Sequence, residues 1–89
     1  MQAVRDNRSE QEFTLELDGE TAVAAYQREG DTIVFTHTVV PPGIEGRGVG
    51  TRLIRGALDQ ARDQGLTVVP QCPFVRAFIE RHPEYRDLL

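Results

Sequence analysis

The sequence predicts an α+β domain: an antiparallel three-strand meander, a glycine loop and helix, a parallel fourth strand and a C-terminal helix. Three observations carry this reading. Three strand-like segments separated by turn signals precede Pro41, the first with strict apolar–polar alternation; the period lengthens to that of a helix after the glycines, and a short apolar run separates two helical segments.

The elements follow in order. "EFTLEL" sets Phe13, Leu15 and Leu17 against Thr14 and Glu16, the pattern of a strand with one wet face. Asp18-Gly19 is a hairpin signal, "TAVAAYQ" is the return strand, and Gly30-Asp31 turns the chain into "TIVFTHTVV", a long β-branched third strand. Pro41 and Pro42 end the pairing because neither can donate to a ladder. Val49, Leu53, Ile54, Ala57, Leu58 and Ala61 then recur at helical spacing until Gly65 stops the helix. "LTVVP" is a short apolar strand. Pro73 fits the first turn of a second helix, "PFVRAFIERH", in which Phe74 with Phe78 and Val75 with Ile79 are i,i+4 pairs, and Pro83 stops it. A helix crossing between the third and fourth strands makes those two parallel.

With 89 residues, the chain has room for one core, so residues 1–89 are read as a single domain. No apolar stretch approaches the roughly 18 residues of a membrane span, and the Met1 end lacks the charged-then-apolar pattern of a signal peptide. A cytoplasmic protein with no membrane contact is therefore expected. Cys72 is the only cysteine, which excludes an internal disulfide, and with His37 and His82 alone beside it no metal site is expected. The net charge of −4 argues against nucleic acid as a partner. That charge is uneven. Residues 1–45 hold three Arg and nine acids, a balance of −6, whereas residues 46–89 hold seven Arg and five acids, a balance of +2. The asymmetry suits an anionic ligand near the glycines and a cationic one elsewhere.

"GIEGRGVGTR" places Gly46, Gly48 and Gly50 at every second position between a strand end and a helix start, where free N–H groups and the positive end of the helix dipole favour an anion. Glycines let a phosphate approach the backbone, and Arg47 and Arg52 are suited to charge-assisted contacts. The chain has no lysine, so a phosphate loop that requires Gly-Lys-Ser/Thr is excluded. A dinucleotide-binding loop is set aside too. Its third glycine would fall on Thr51, and no acid follows the next strand, where Val69, Pro70 and Gln71 stand.

"GRGVG" followed by "TRLIRGALDQARDQGL" resembles the pyrophosphate motif of the GNAT superfamily of acetyl-CoA-dependent N-acetyltransferases, in which Gln or Arg, two residues, Gly, one residue, then Gly or Ala precede a helix. Gly48 and Gly50 match the last two fixed positions, and Glu45 replaces the usual Gln or Arg. "HTVVPP" and "VVPQCPFVRAFIERHPEYRDLL" are further similar to very short single-domain members of that superfamily. The resemblance implies a minimal GNAT-like fold and acetyl-CoA (coenzyme A) as the cofactor. It implies a cofactor set of Val39, Val40, Gly46, Arg47, Gly48, Val49, Gly50, Thr51 and Arg52, with the acetyl-pantetheine arm between the strand of His37 and "LTVVP". Larger members carry two helices between their first two strands as part of the acceptor pocket; here Asp18-Gly19 joins those strands directly.

Three catalytic candidates follow. His37 shares a strand face with Ile33, Phe35 and Val39 and is suited to take the amine proton, or is simply a buried, hydrogen-bonded histidine. Cys72, beside Pro73 at the start of the second helix, is placed where the helix dipole favours thiolate; it either accepts the acetyl group or packs as a small hydrophobe. Tyr85, with His82 as a second choice, is the candidate donor to the leaving sulfur, against a purely packing role. The readings are a small acetyltransferase acting on an amine-bearing small molecule or protein, a non-catalytic acyl-CoA-binding module, and a protein-interaction domain. An exposed first strand and the shortened acceptor side leave room for completion by a partner or by a second copy in a homodimer.

Overall fold

A computed structural model of the chain describes residues 3–89; Met1 and Gln2 of the expected 1–89 domain lie outside the described residues. The elements are β1 (Arg5–Asn7), β2 (Glu12–Leu17), β3 (Glu20–Glu29), β4 (Thr32–Val39), a 3-10 turn (Pro42–Ile44), α1 (Val49–Asp63), β5 (Thr67–Pro70), α2 (Pro73–Arg81) and a closing 3-10 segment (Pro83–Leu88). They form a five-stranded sheet in the order β1-β2-β3-β4-β5. Neighbours from β1 to β4 are antiparallel, and β4 and β5 are parallel.

The turns have local causes. Asp18 and Gly19 both hold positive φ, 53° and 77°, which matches the twist of the β2–β3 hairpin. The alternation puts Phe13, Leu15, Ala22, Ala24, Tyr26, Ile33, Phe35 and Val68 on one buried face. α1 packs there over β2 and β3, and α2 over β4 and β5, so the helices and one sheet face enclose a single core. All six apolar positions expected to face inward from α1 are buried. No described helix is long and apolar enough to cross a membrane.

β1 is an addition to the expected meander. "RDN" shows no alternation, and tertiary partners hold it instead. Asp6 accepts the Tyr26 hydroxyl at 2.6 Å, Gln60 Nε2 donates to the Val4 carbonyl at 2.9 Å, and a β-carbon at Gly56 would stand 2.5 Å from Val4 Cγ2. Because β1 pairs with Glu12, Phe13 and Thr14, the strand expected at the sheet edge is covered over half its length.

Candidate functional site

The site begins where β4 and β5 part. Their pairing runs from Thr32↔Thr67 to Phe35↔Pro70 and ends there, since Pro70 has no N–H to continue it. The Cys72 amide still donates to the Phe35 carbonyl at 2.9 Å before α2 carries the chain away. From His37 to Val39, β4 is paired on the β3 side only.

A β-bulge sits at this point. Tyr26 faces Phe35 and Ala25 faces His37, so Thr36 is the extra residue, with its Oγ1 donating to the Ala25 carbonyl at 3.2 Å. One extra residue reverses the alternation. His37 and Val39 therefore turn outward and are exposed, while Thr38 and Val40 turn inward. This corrects the expectation that His37 shares the face of Ile33 and Phe35. Thr38, which pattern reading passed over, takes the inward position, and its Oγ1 lies 3.4 Å from Cys72 Sγ.

Beyond β4, Pro42–Ile44 forms a 3-10 turn anchored by the buried side chain of Ile44. Gly46 and Gly48 then adopt φ of 76° and 73°, and α1 starts at Val49 without a side-chain cap. Two left-handed glycines ahead of an uncapped helix leave the first N–H groups of α1 without a side-chain partner, a setting that favours an anion. The loop and the head of α1 line a groove of about 400 Å³ that also touches Thr38 and Val40 on one side and Thr51 and Phe74 on the other. Glu45 lies on its rim and brings a carboxylate beside the donors.

Gly50 has a different cause from its neighbours. A β-carbon there would come within 2.7 Å of Phe74 Cζ, whereas β-carbons at Gly46 and Gly48 would meet nothing within 4 Å. The first two glycines serve backbone conformation, and the third makes room for an aromatic ring.

The structure brings together Val40, Gly46, Gly48, Val49, Gly50 and Thr51, with Cys72 touching Thr38 at the inner end. It separates the others. Val39 is 53% exposed on the outer sheet face. Arg47 Nη1 bonds Asp18 Oδ2 of the β2–β3 turn at 2.5 Å. Arg52 lines a shallow cavity beside Val4 and Arg55. Cys72 is buried at 3% exposure and is the N-cap residue of α2, without a side-chain cap bond. Tyr85 donates to Asp59 Oδ1 at 2.7 Å, and burial first, then that bond, raises its pKa. Asp59 is ten residues along α1 from Val49, about 15 Å from the loop at the helical rise. His82 stacks on Phe78 with ring centroids 4.3 Å apart.

Two further features bound the choice of site. A larger, polar cavity of about 610 Å³ lies over β1 and β2, lined by Arg5, Arg8, Glu12 and Glu16, remote from the glycines and from Cys72. Among the described residues no group of three or more His, Cys, Asp or Glu side chains is placed to hold a metal ion.

A parallel strand pair that opens at a bulge, beside a glycine nest heading a helix, is the framework of an N-acetyltransferase-type domain. The chain belongs to the GCN5-related N-acetyl-transferase family, whose model matches residues 12–88. It is similar to protein NATD1 of Bos taurus, 32% identical over 83 residues that span 90% of this chain and 74% of that protein. NATD1 of Homo sapiens is 31% identical over 83 residues, with the same coverage. Among solved structures, a GCN5-like protein from Staphylococcus aureus determined by NMR superposes with a TM-score of 0.73 at 25% identity, covering 96% of this chain and 84% of that one.

Proposed function

We propose that this protein binds acetyl-CoA in the glycine groove and transfers the acetyl group to an amine. One observation carries the reading: the left-handed Gly46–Gly48 turn, the uncapped start of α1 and Thr38 share a single groove, with Cys72 Sγ 3.4 Å from Thr38 Oγ1 at its inner end. Acetyl-CoA supplies an activated thioester. The N–H groups at the head of α1 hold the pyrophosphate, and the edge of β4 left free by β5 offers backbone groups to the pantetheine amides.

Two routes are open at the inner end, one through the thiol of Cys72 and one without it. In a relayed route, Sγ bonds the acetyl carbon as the bond from that carbon to the coenzyme sulfur breaks, and the thiol proton leaves with that sulfur. The amine nitrogen then takes the acetyl carbon, and a proton from nitrogen returns to Sγ. In a direct route the amine attacks without Cys72. His37 faces solvent on the outer sheet surface, so a base role for it requires the amine to arrive from that side. Tyr85, committed to Asp59, ties the closing 3-10 segment to α1.

The second reading is a non-catalytic acyl-CoA-binding module, and the two-residue Asp18–Gly19 turn favours it by leaving no helices on the acceptor side. Titration of acetyl-CoA into the protein and into Thr51→Glu tests binding. Glu is favoured in the first turn of a helix, so the variant folds while setting a carboxylate against the pyrophosphate. Loss of binding in Thr51→Glu alone supports the site; equal binding removes it. Turnover with a panel of amines then separates enzyme from binding module.

A further inference from the structure

Both helices lie on one face of the sheet, and the opposite face has no element over it among the described residues. Its middle is apolar. Val23 and Ala25 of β3 and Val34 of β4 are half-buried there, and Val39 and Val69 are 53% and 38% exposed. The register joins them into one stripe: Val23 stands opposite Val39, Ala25 opposite His37, and Val34 opposite Val69. β2 sets an acidic border beside that stripe. Glu12 and Glu16 hold outward positions opposite Ala25 and Thr21, and Glu29 ends β3. Among the described residues none of these three carboxylates is in an ion pair, whereas Asp6, Asp18, Glu84 and Asp87 each meet a cation. Arg5 lies beyond the border, opposite Thr14, and Arg8 is paired with Asp6.

We infer that this face docks a basic amphipathic helix of a partner protein, its apolar side on the valine stripe and its Lys or Arg side chains on Glu12 and Glu16. The inference goes beyond the acyl-CoA reading and does not depend on it. The stripe runs from β3 to β5, two strand spacings or about 10 Å, which matches the width of a helix with its side chains. An apolar stripe bordered by unpaired charges of one sign complements a ligand that is apolar on one side and cationic on the next. At the strand rise Glu12 and Glu16 are about 14 Å apart, the distance between basic residues roughly two to three helical turns from each other. A second copy of this chain is a poorer occupant, since it brings the same three acids to the contact. The same acids repel an anionic lipid surface or a nucleic acid.

The test titrates 15N-labelled protein with a synthetic peptide of Leu and Lys spaced as an amphipathic helix, with the same composition scrambled, and with a counterpart in which Glu replaces Lys. Saturable shifts at Val23, Ala25, Val34, His37, Val39 and Val69 with the first peptide alone are the expected result. Glu12→Gln combined with Glu16→Gln should weaken that binding about fivefold, and Val69→Ser about threefold. Equal binding of the scrambled or the Glu peptide, an affinity unchanged in the double variant, or no saturation at millimolar peptide would overturn the inference. Shifts on this face that follow protein concentration without peptide would also overturn it, in favour of a second copy. Acetyl-CoA takes no part in the titration, so failure here leaves the glycine groove untouched, and a groove that binds no acetyl-CoA leaves this face in place.

Discussion

Phe74 lies across Gly50, so close that a β-carbon on residue 50 would stand 2.7 Å from Cζ of the ring. This contact ties the start of α2 to the start of α1 and sets the wall shared by the glycine groove and a smaller cavity lined by Phe78, Arg81 and His82. The third glycine is thus a packing residue on a helix, where it would otherwise be a weak choice.

Gly50→Ala should lower stability. Overpacking costs about 1–3 kcal/mol, and the better helix propensity of Ala returns up to about 1 kcal/mol. Urea unfolding of Gly50→Ala, Phe74→Ala and the double variant checks this, with the penalty expected to disappear when the ring is absent. An equal penalty in both backgrounds would show that Phe74 is not its cause.

Gly48→Ala should be destabilising for another reason. Its φ of 73° costs a non-glycine residue about 1–2 kcal/mol. Here removal of Phe74 should bring no relief, and the same unfolding series measures it.

If the glycine groove takes a pyrophosphate, the exposed Arg47–Asp18 pair competes with it for the guanidinium. Asp18→Asn keeps a residue type that tolerates the left-handed turn and should change stability by less than about 1 kcal/mol. Freed of its partner, Arg47 should bind acetyl-CoA roughly two- to fivefold more tightly at low salt, with the gain fading as salt rises. Weaker binding would mean that the ion pair holds the loop in its competent form.

Both tyrosines should titrate late. Burial, followed by the hydrogen bond to Asp6, pushes Tyr26 up to about 12, and burial followed by Asp59 raises Tyr85. Folding thus favours the neutral phenols. Their contribution is full below the ordinary phenol value near 10 and is lost as pH rises through the folded values. Ultraviolet titration of phenolate should show both shifts, and Tyr26→Phe should flatten the fall in stability between about pH 10 and 12. An ordinary midpoint for both residues would contradict the burial and bonding described.

Cys72→Ala should leave acetyl-CoA affinity within about twofold, since Cys72 touches the groove only through Thr38. If the relayed route operates, steady-state turnover falls by about a hundredfold or more. Unchanged turnover would assign the direct route and make Cys72 a packing residue.

The sequence made much of this arrangement legible because period-two and helical patterns report which face is buried, and "EFTLEL" and α1 follow those patterns cleanly. β1 was hidden because three polar residues carry no pattern and are held by Asp6–Tyr26 and Gln60–Val4 contacts. The bulge at Thr36 was hidden for a related reason: one unpaired residue leaves no mark in "TIVFTHTVV" yet exchanges His37 for Thr38 at the groove. The loop glycines were readable from spacing, but only the fold shows that Gly50 answers to Phe74.

Acetyl-CoA binding at the head of α1 is tested most directly by amide chemical-shift mapping with unlabelled acetyl-CoA and the 15N-labelled protein. Saturable shifts centred on the N–H groups of Gly48, Val49, Gly50 and Thr51, extending to Thr38, are the expected result. No shifts at millimolar ligand, or shifts confined to the polar cavity around Arg5 and Glu12, would contradict the assignment of the glycine groove.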